Sequence, residues 1–258
     1  MIHPLSSVHT DACIADGVEI GPFVTVAADV EIGEGTRILS NAVVMDGARI
    51  GRNCTIFPGA VVGAIPQDLK FKGEYTLAEV GDNTILRECV TINRGTVARG
   101  RTTVGNNCLL MAYCHVAHDC CVGNNVIMSN ATQLAGEVVV DDFAIIGGGT
   151  LVHQFCHIGS HVMIQGGALI NKDIPPYCLA AREPISFTGI NIVGLRRRNF
   201  TNEQIAEIQE TYRLLYMEGR NITEALEYME KQSEASLLRD EIMTFVRGSK
   251  RGVIRCGS

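Results

Sequence analysis

The chain reads as a mainly β protein, a solenoid of short parallel strands followed by an α-helical C-terminal segment. Three observations predict it. From Ile2 to Ile170 every sixth residue is Ile, Leu, Val or Met, apart from Asp68, Glu74 and Ala98. Like faces recur about every 3.6 residues in a helix and every 2 in a strand, so this period demands short extended segments joined by turns, each sending one large side chain inward. The composition agrees: 46% hydrophobic but only 5% aromatic, with no Trp, is a core of branched aliphatics suited to stacked, near-identical rungs. Finally, the period stops after Ile170 and helix punctuation begins at Thr201 and Gln204.

Three six-residue sides close a triangular coil of eighteen residues. Stacked coils then pair as parallel strands about 4.8 Å apart. Many anchors precede glycine, as in Ile20-Gly21, Ile50-Gly51, Val62-Gly63, Val104-Gly105 and Ile158-Gly159, which is expected to supply the positive φ of a tight corner. Two stretches, near 64–79 and 97–103, leave the pattern and the phase resumes after each. They read as loops attached to the wall, and such insertions often build a solenoid's binding face. Pro175 and Pro176 are expected to end strand pairing, so the repeat unit is assigned to 1–187 and the helical unit to 188–258. The latter opens with a connector holding Asn191 and Arg196 to Arg198. A helix follows from the Thr201 capping box to Gly219, then two more at about 223–232 and 236–247. This tail is expected to cap the last coil, being small for an independent domain.

A net charge of −6 argues against general nucleic-acid or membrane-surface binding. No apolar run reaches the roughly 20 residues needed to span a bilayer, and the repeat begins at Ile2 with no leader before it, so a cytoplasmic location is expected. Of the ten cysteines, Cys54, Cys108, Cys114, Cys120 and Cys156 each fall four residues after an anchor, where Ala, Thr or Val stands elsewhere. They read as reduced, structural residues in a crowded slot rather than zinc ligands.

The reactive side chains interrupt the repeat. His115, His118 and Asp119 lie together, and His153 and Gln154 follow. A neutral imidazole, with a pKa near 6.5, suits proton removal from a hydroxyl at neutral pH. A lone histidine is more often structural, and spacing alone leaves both readings open.

The stretches Gln67 to Lys70, Ile92 to Thr96, His115 to Asp119, Asp142 to Gly148, Val152 to Cys156 and Asn191 to Arg198 together resemble, in order and over nearly the whole chain, the hexapeptide-repeat acyltransferases. The similarity is to those members that acylate UDP-N-acetylglucosamine from acyl carrier protein, the first step of lipid A synthesis. The resemblance implies a left-handed parallel β-helix of hexapeptide repeats with a C-terminal α-helical domain; the hand comes from it alone, since ordinary crossovers are right-handed. It implies His118 as general base toward the sugar 3-hydroxyl, Asp119 holding or polarising the ring, and the Gly136 N–H as donor to the oxyanion. It assigns Gln67, Asp68 and Lys70 to substrate head groups, and His115, His153 and Gln154 to the sugar or the acyl amide. Asn191, Arg197 and Arg198 go to the uridine-diphosphate end, where guanidinium suits phosphate. Gly166 falls at the far end of the acyl groove, where glycine admits long 3-hydroxyacyl chains. A homotrimer with sites between chains is implied. No metal or other cofactor is, the acyl donor riding on the phosphopantetheine of acyl carrier protein.

Three positions depart from the family's pattern: Glu137 where a histidine follows the oxyanion glycine, Asn93 where the pattern has histidine, and Val193 where it has glutamate. Glu137 retains a hydrogen-bonding group for the sugar; Val193 does not. Rival readings are the related N-acyltransferase of the same pathway, which has a domain before its repeats, and a γ-type carbonic anhydrase using His115, His118 and His153 on zinc. A non-catalytic scaffold is a third.

Overall fold

The anchors of the repeat point inward, and Ile38, Ile56, Leu86, Ile92, Leu110, Met128, Leu134, Ile146, Ile158, Ile164 and Ile170 are fully buried. Burying each such side chain contributes roughly 1.5–3 kcal/mol. A computed structural model describes residues 1–232 and 235–257. The strands around the anchors are two to four residues long, and they stack into three parallel sheets. Each coil visits the first sheet, of nine strands, then the second, of eight, then the third, of ten. Undisturbed coils pair residues eighteen apart, as in the third-sheet row Leu110, Met128, Ile146, Ile164. The prism therefore has three edges: the first between the first and second sheets, the second between the second and third, and the third where the chain returns.

The glycine after an anchor serves a different purpose from the one expected. Of the five pairs cited above only Gly63 has positive φ; the left-handed residue lies two places further on, as at Asn53, Asn107, Asp119, Glu137 and Phe155. At Gly105 an added Cβ would lie 2.5 Å from the Gly123 carbonyl oxygen of the next coil, and at Gly159 2.5 Å from the Pro176 nitrogen. Close stacking, not turn conformation, demands glycine there. The crowded cysteine slot has a related cause: Cys108 Sγ sits 3.1 Å from Gly123 O, and Cys54, Cys108, Cys114, Cys120 and Cys156 are buried and free. Burial pushes the Cys114 and Cys156 thiols up to about 11 and Cys120 to about 12, so they stay protonated.

Both insertions leave the wall at the first edge. One joins strand Val61–Ala64 to Leu77–Val80, the other Thr91–Asn93 to Arg101–Val104. Val62 pairs with Ile92, thirty residues on, and Ile92 with Val116, twenty-four on, against eighteen elsewhere. The insertions thus add twelve and six residues, whole multiples of the period, which is why Asp68, Glu74 and Ala98 replace anchors without disturbing the phase.

The prolines do not end strand pairing. Strand Cys178–Ala181 still adds in parallel to the third sheet, with Ile164 opposite Ala180, and Ser186–Ile190 then pairs antiparallel to it. Only the phase ends, because this last turn is sixteen residues long; Pro175 and Pro176 occupy its corner and leave the strand's own amides intact. The expected connector is a short helix, α1 (Ile192–Arg197), capped by Asn191 Oδ1 accepting from Gly194 N. Three helices follow: α2 (Asn202–Tyr216) with the Thr201/Gln204 capping box formed, α3 (Ile222–Gln232) and α4 (Leu237–Gly248). Tyr212 of α2 stacks on Phe187 at 4.7 Å and its hydroxyl donates to Pro176 O, so the helices close the end of the coil core. No helix of the described residues is long and apolar enough to cross a membrane.

If glycine is required by stacking, Gly105→Ala lowers stability by about 2–4 kcal/mol through overpacking against backbone. Gly149→Ala, with φ of 69° but nothing within 4 Å of its Cβ, costs only about 1–2 kcal/mol. Urea unfolding of the two variants checks the order.

Candidate active site

Along the first edge, successive corners carry the polar residues in a column. Residues 117–120 hold His118 and Asp119, the next corner holds Gly136 and Glu137, and the one beyond holds His153 and Gln154. His118 Nδ1 lies 2.9 Å from Asp119 Oδ2. Asp119 is fully buried in the left-handed conformation, with φ of 59°. Its Oδ1 accepts from the amides of Thr96 at 2.9 Å and Arg99 at 3.1 Å, while Oδ2 also accepts from Thr96 Oγ1 at 2.7 Å. Burial alone would raise this carboxyl, but the hydrogen bonds from Thr96, His118 and Arg99 outweigh it and hold the group below the usual carboxylate range.

An ionised carboxylate only accepts, so the proton shared with it belongs to Nδ1. In the neutral ring His118 Nε2 is then the acceptor, and it has no partner among the described residues. That nitrogen faces Gly136: a Cβ there would lie 2.4 Å from Nε2 and 2.5 Å from Cε1. The Gly136 N–H donates to no described group, and the adjacent Glu137 N–H donates to His118 O at 3.0 Å, tying the two corners together. A proton acceptor and a free N–H donor thus sit side by side on one rim.

The other expected residues are spread further. His115 points outward from the first sheet with Nδ1 2.7 Å from Thr91 Oγ1; burial and the nearby His118 lower its pKa. His153 is exposed, its Nδ1 3.0 Å from Gln154 O. Gln67, Asp68 and Lys70 lie on the first insertion, where Asp68 Oδ1 accepts from Lys70 N at 2.9 Å. Gly166 is on the third edge, exposed and without positive φ; an added Cβ would meet only Gly148 O closely, at 3.1 Å. The positive φ of this corner belongs to Gly167, so no backbone conformation demands glycine at 166, although a Cβ there is tight against that one oxygen.

Asn191, Arg197 and Arg198 belong to the second edge. Asn191 is buried; besides capping α1 it donates through Nδ2 to His161 O at 2.9 Å. Arg198 lies over the Phe143 ring and donates to Phe143 O at 3.0 Å, and its Nη1 is buried without a partner. Burial lowers the Arg198 pKa. His161 stacks between Phe143 and Tyr177, and burial and the Arg198 charge pull it down to about 4, so it is neutral near pH 7. Arg197 is exposed. One chain therefore brings His118, Asp119, Gly136, Glu137, His153 and Gln154 onto one edge, and leaves the basic pair and Gly166 on the other two. Of the departing residues, Asn93 is buried with Nδ2 donating to Ile65 O, and Val193 is exposed on α1. Sequence reading gave no role to Thr96 or to the Arg99 amide; the available signals were that Thr96 ends the stretch Ile92 to Thr96 carrying the resemblance and that a loop follows it one coil before His118.

A coil of six-residue repeats carrying a histidine–carboxylate pair on its edge is an architecture that the hexapeptide-repeat transferases share. A profile described as bacterial transferase hexapeptide (six repeats) matches residues 29–64 and 101–136, and one described as UDP N-acetylglucosamine O-acyltransferase, domain 2, matches 173–254. The acyl-[acyl-carrier-protein]–UDP-N-acetylglucosamine O-acyltransferase of Trichlorobacter lovleyi is 47% identical over 258 residues, 98% of this chain and 99% of that one. Among solved structures, the UDP-N-acetylglucosamine acyltransferase of Bacteroides fragilis superposes with a TM-score of 0.97 at 55% identity, covering 99% of this chain and all of that one. The Francisella novicida enzyme gives 0.96 at 40% identity, covering 99% and 94%. The chain belongs to the acyl-[acyl-carrier-protein]–UDP-N-acetylglucosamine O-acyltransferase family. It is an acyltransferase, and its fold is the left-handed parallel β-helix with C-terminal helices.

The Asp119 cradle has a pH consequence. A carboxyl whose folded pKa lies below its ordinary 3.8 contributes stability that is fully present above that value and is lost as pH falls through the lower, folded one. The melting-temperature gap between the native chain and Asp119→Asn should therefore be constant from neutral pH down to the ordinary carboxylate range and close below it; thermal melts across that range check this.

Proposed function

We propose that this chain transfers a 3-hydroxyacyl group from acyl carrier protein to the 3-hydroxyl of UDP-N-acetylglucosamine, opening lipid A synthesis, with His118 as the general base. The observation that carries this reading is the bare Nε2 of His118, fixed by Asp119 and set against the free N–H of Gly136. Nε2 takes the hydroxyl proton as the sugar oxygen attacks the thioester carbonyl, and the Gly136 N–H donates to the oxyanion that forms. The C–S bond then breaks, and the imidazolium returns its proton to the departing phosphopantetheine sulfur. Asp119 stabilises the imidazolium in between. The step as written uses no metal ion or other cofactor.

Gln67, Asp68, Lys70, His115, Glu137, His153 and Gln154 are assigned to the substrate's head groups and sugar. Glu137 has a carboxylate that makes no hydrogen bond or ion pair with the described residues, leaving it an acceptor for sugar hydroxyls. The acyl chain is assigned to the outward face of the first sheet, between the first and third edges. Support comes from Leu151 and Leu169, exposed there, and from the side-chain-free run Gly147 to Gly149 beneath Gly166 and Gly167.

Arg197 and Arg198 are assigned to the diphosphate although they lie on a different edge from His118. A nucleotide sugar can meet both only where the first edge of one copy faces the second edge of another. Such a contact joins unlike surfaces, which gives a ring where the rotation closes, and a threefold rotation suits a triangular section. A homotrimer is thus part of the reading, as is a cytoplasmic location, favoured by ten free thiols and by an acyl-carrier-protein donor.

His118→Ala should leave the fold intact and lower kcat by about 10²–10⁴; unchanged turnover of folded protein on UDP-N-acetylglucosamine and 3-hydroxyacyl carrier protein would sink the base assignment.

Gly166→Met should switch donor preference to a chain several carbons shorter while turnover on that donor stays high. Each methylene denied burial costs about 0.8 kcal/mol, so a few shift preference by orders of magnitude. Mass analysis of products from a mixed pool of acyl carrier proteins reads this directly, and equal loss on all lengths would refute the ruler.

A further inference from the structure

The second insertion shows a division of labour. Val97, Ala98 and Arg99 turn their side chains to solvent, while Thr96 is buried. The loop's neck is pinched shut at Gly95, where a Cβ would lie 2.3 Å from the Arg101 nitrogen, and Gly100 N donates to Thr96 O at 2.7 Å. Beyond that neck, the Thr96 amide, the Thr96 hydroxyl and the Arg99 amide all end on Asp119. The two amides saturate Oδ1, the Thr96 hydroxyl shares Oδ2 with His118, and Asp119 N donates to Thr102 Oγ1 at 2.8 Å. The Thr96 hydroxyl is itself oriented, because Oγ1 accepts from Ala98 N at 3.2 Å and so turns its proton to the carboxylate.

We propose that Thr96 is a positioning residue for the transfer, and that the second insertion holds the Asp119 carboxylate in the one orientation that aims it at His118 Nδ1. This rests on His118 acting as the base. With four donors on two oxygens, the carboxylate has one orientation that satisfies all of them, and that orientation fixes both the ring plane and the tautomer of His118. Without the hydroxyl, Oδ2 keeps only the imidazole, and the carboxylate is free to rotate about the two amides on Oδ1. The ring then loses its fixed placement against Gly136 while the substrate's own contacts are untouched.

The test is steady-state kinetics of Thr96→Val, Thr96→Ala and Thr96→Ser in the full-length protein, alone and in an Asp119→Asn background, with UDP-N-acetylglucosamine and a 3-hydroxyacyl carrier protein. Loss of one hydrogen bond to a buried carboxylate is expected to lower kcat by about 10- to 100-fold, in Val and Ala alike, with KM for the sugar nucleotide little changed. Thr96→Ser should recover most of the rate. In the Asp119→Asn background, Thr96→Val should cost nothing further, since the carboxylate it acts on is gone. Native kcat in folded Thr96→Val and Thr96→Ala, or the same fold-loss in both backgrounds, overturns the proposal. Should Val fail to fold, Ala and Ser still decide it. If His118→Ala retains turnover, the general-base reading has failed instead; if His118→Ala is inactive while Thr96→Val is not, only the role of Thr96 falls.

Discussion

Close stacking of one coil on the next governs this molecule. Coils about 4.8 Å apart leave no room for a Cβ that points along the stack toward the next coil, and the distances at Gly105 and Gly159 show how little slack there is at such corners. Every coil must therefore keep nearly the same outline, which enforces the six-residue spacing of inward anchors and the small residues four places after them. The interior is repetitive and chemically inert: aliphatic anchors, protonated thiols and threonine hydroxyls bonded to backbone, such as Thr36 to Gly51 O. All variation, and with it all chemistry, is pushed to the outward faces and corners.

At a corner, a side chain one turn away lies one strand spacing along the prism. That geometry sets Gly136 against His118 and places His153 and Gln154 one coil further on, although eighteen residues separate each corner from the next. A rigid row of this kind provides orientation without a moving lid, the feature that proximity effects require. The same rigidity raises the demand on protonation: a histidine on the rim has two tautomers, and the wall cannot choose between them. The choice is made by Asp119, whose carboxylate is buried by its own coil and satisfied from the coil before.

The solenoid was legible in the sequence because an anchor's environment depends only on its place in a coil. The periodic hydrophobes, the chain phase across both insertions, the capping box at Thr201 and the position of His118 beside Asp119 all follow from local pattern. The glycine argument failed on cause: Gly105 marks a steric contact with Gly123, eighteen residues away, which pattern cannot distinguish from a left-handed turn. Pro175 and Pro176 misled similarly, since the strand they were expected to end begins after them. The helix at Ile192–Arg197 was hidden by its six-residue length and by Gly194, which is helix-weakening in isolation but here gives its amide to the Asn191 cap. The site was only partly legible. Residue types named His118 and the arginines, but not that they stand on different edges of one prism, which depends on how each edge is counted around the coil.

Insertions of twelve and six residues have the same origin. A loop of any length can leave a corner, but the chain must return with its next anchor pointing inward, and side-chain direction alternates along a strand. A net addition that is even preserves facing, and one that is a multiple of the period also lets the next strand start in the same corner register as its neighbours. Both loops meet that condition, at Ile92 and at Val104, and both leave from the edge that carries His118. The solenoid thus tolerates new structure only at corners and only without disturbing its phase. A buried polar cradle such as that of Asp119 is the kind of feature the wall cannot make from its own repeat, because a repeat that buried a carboxylate in every coil would leave most of them without donors.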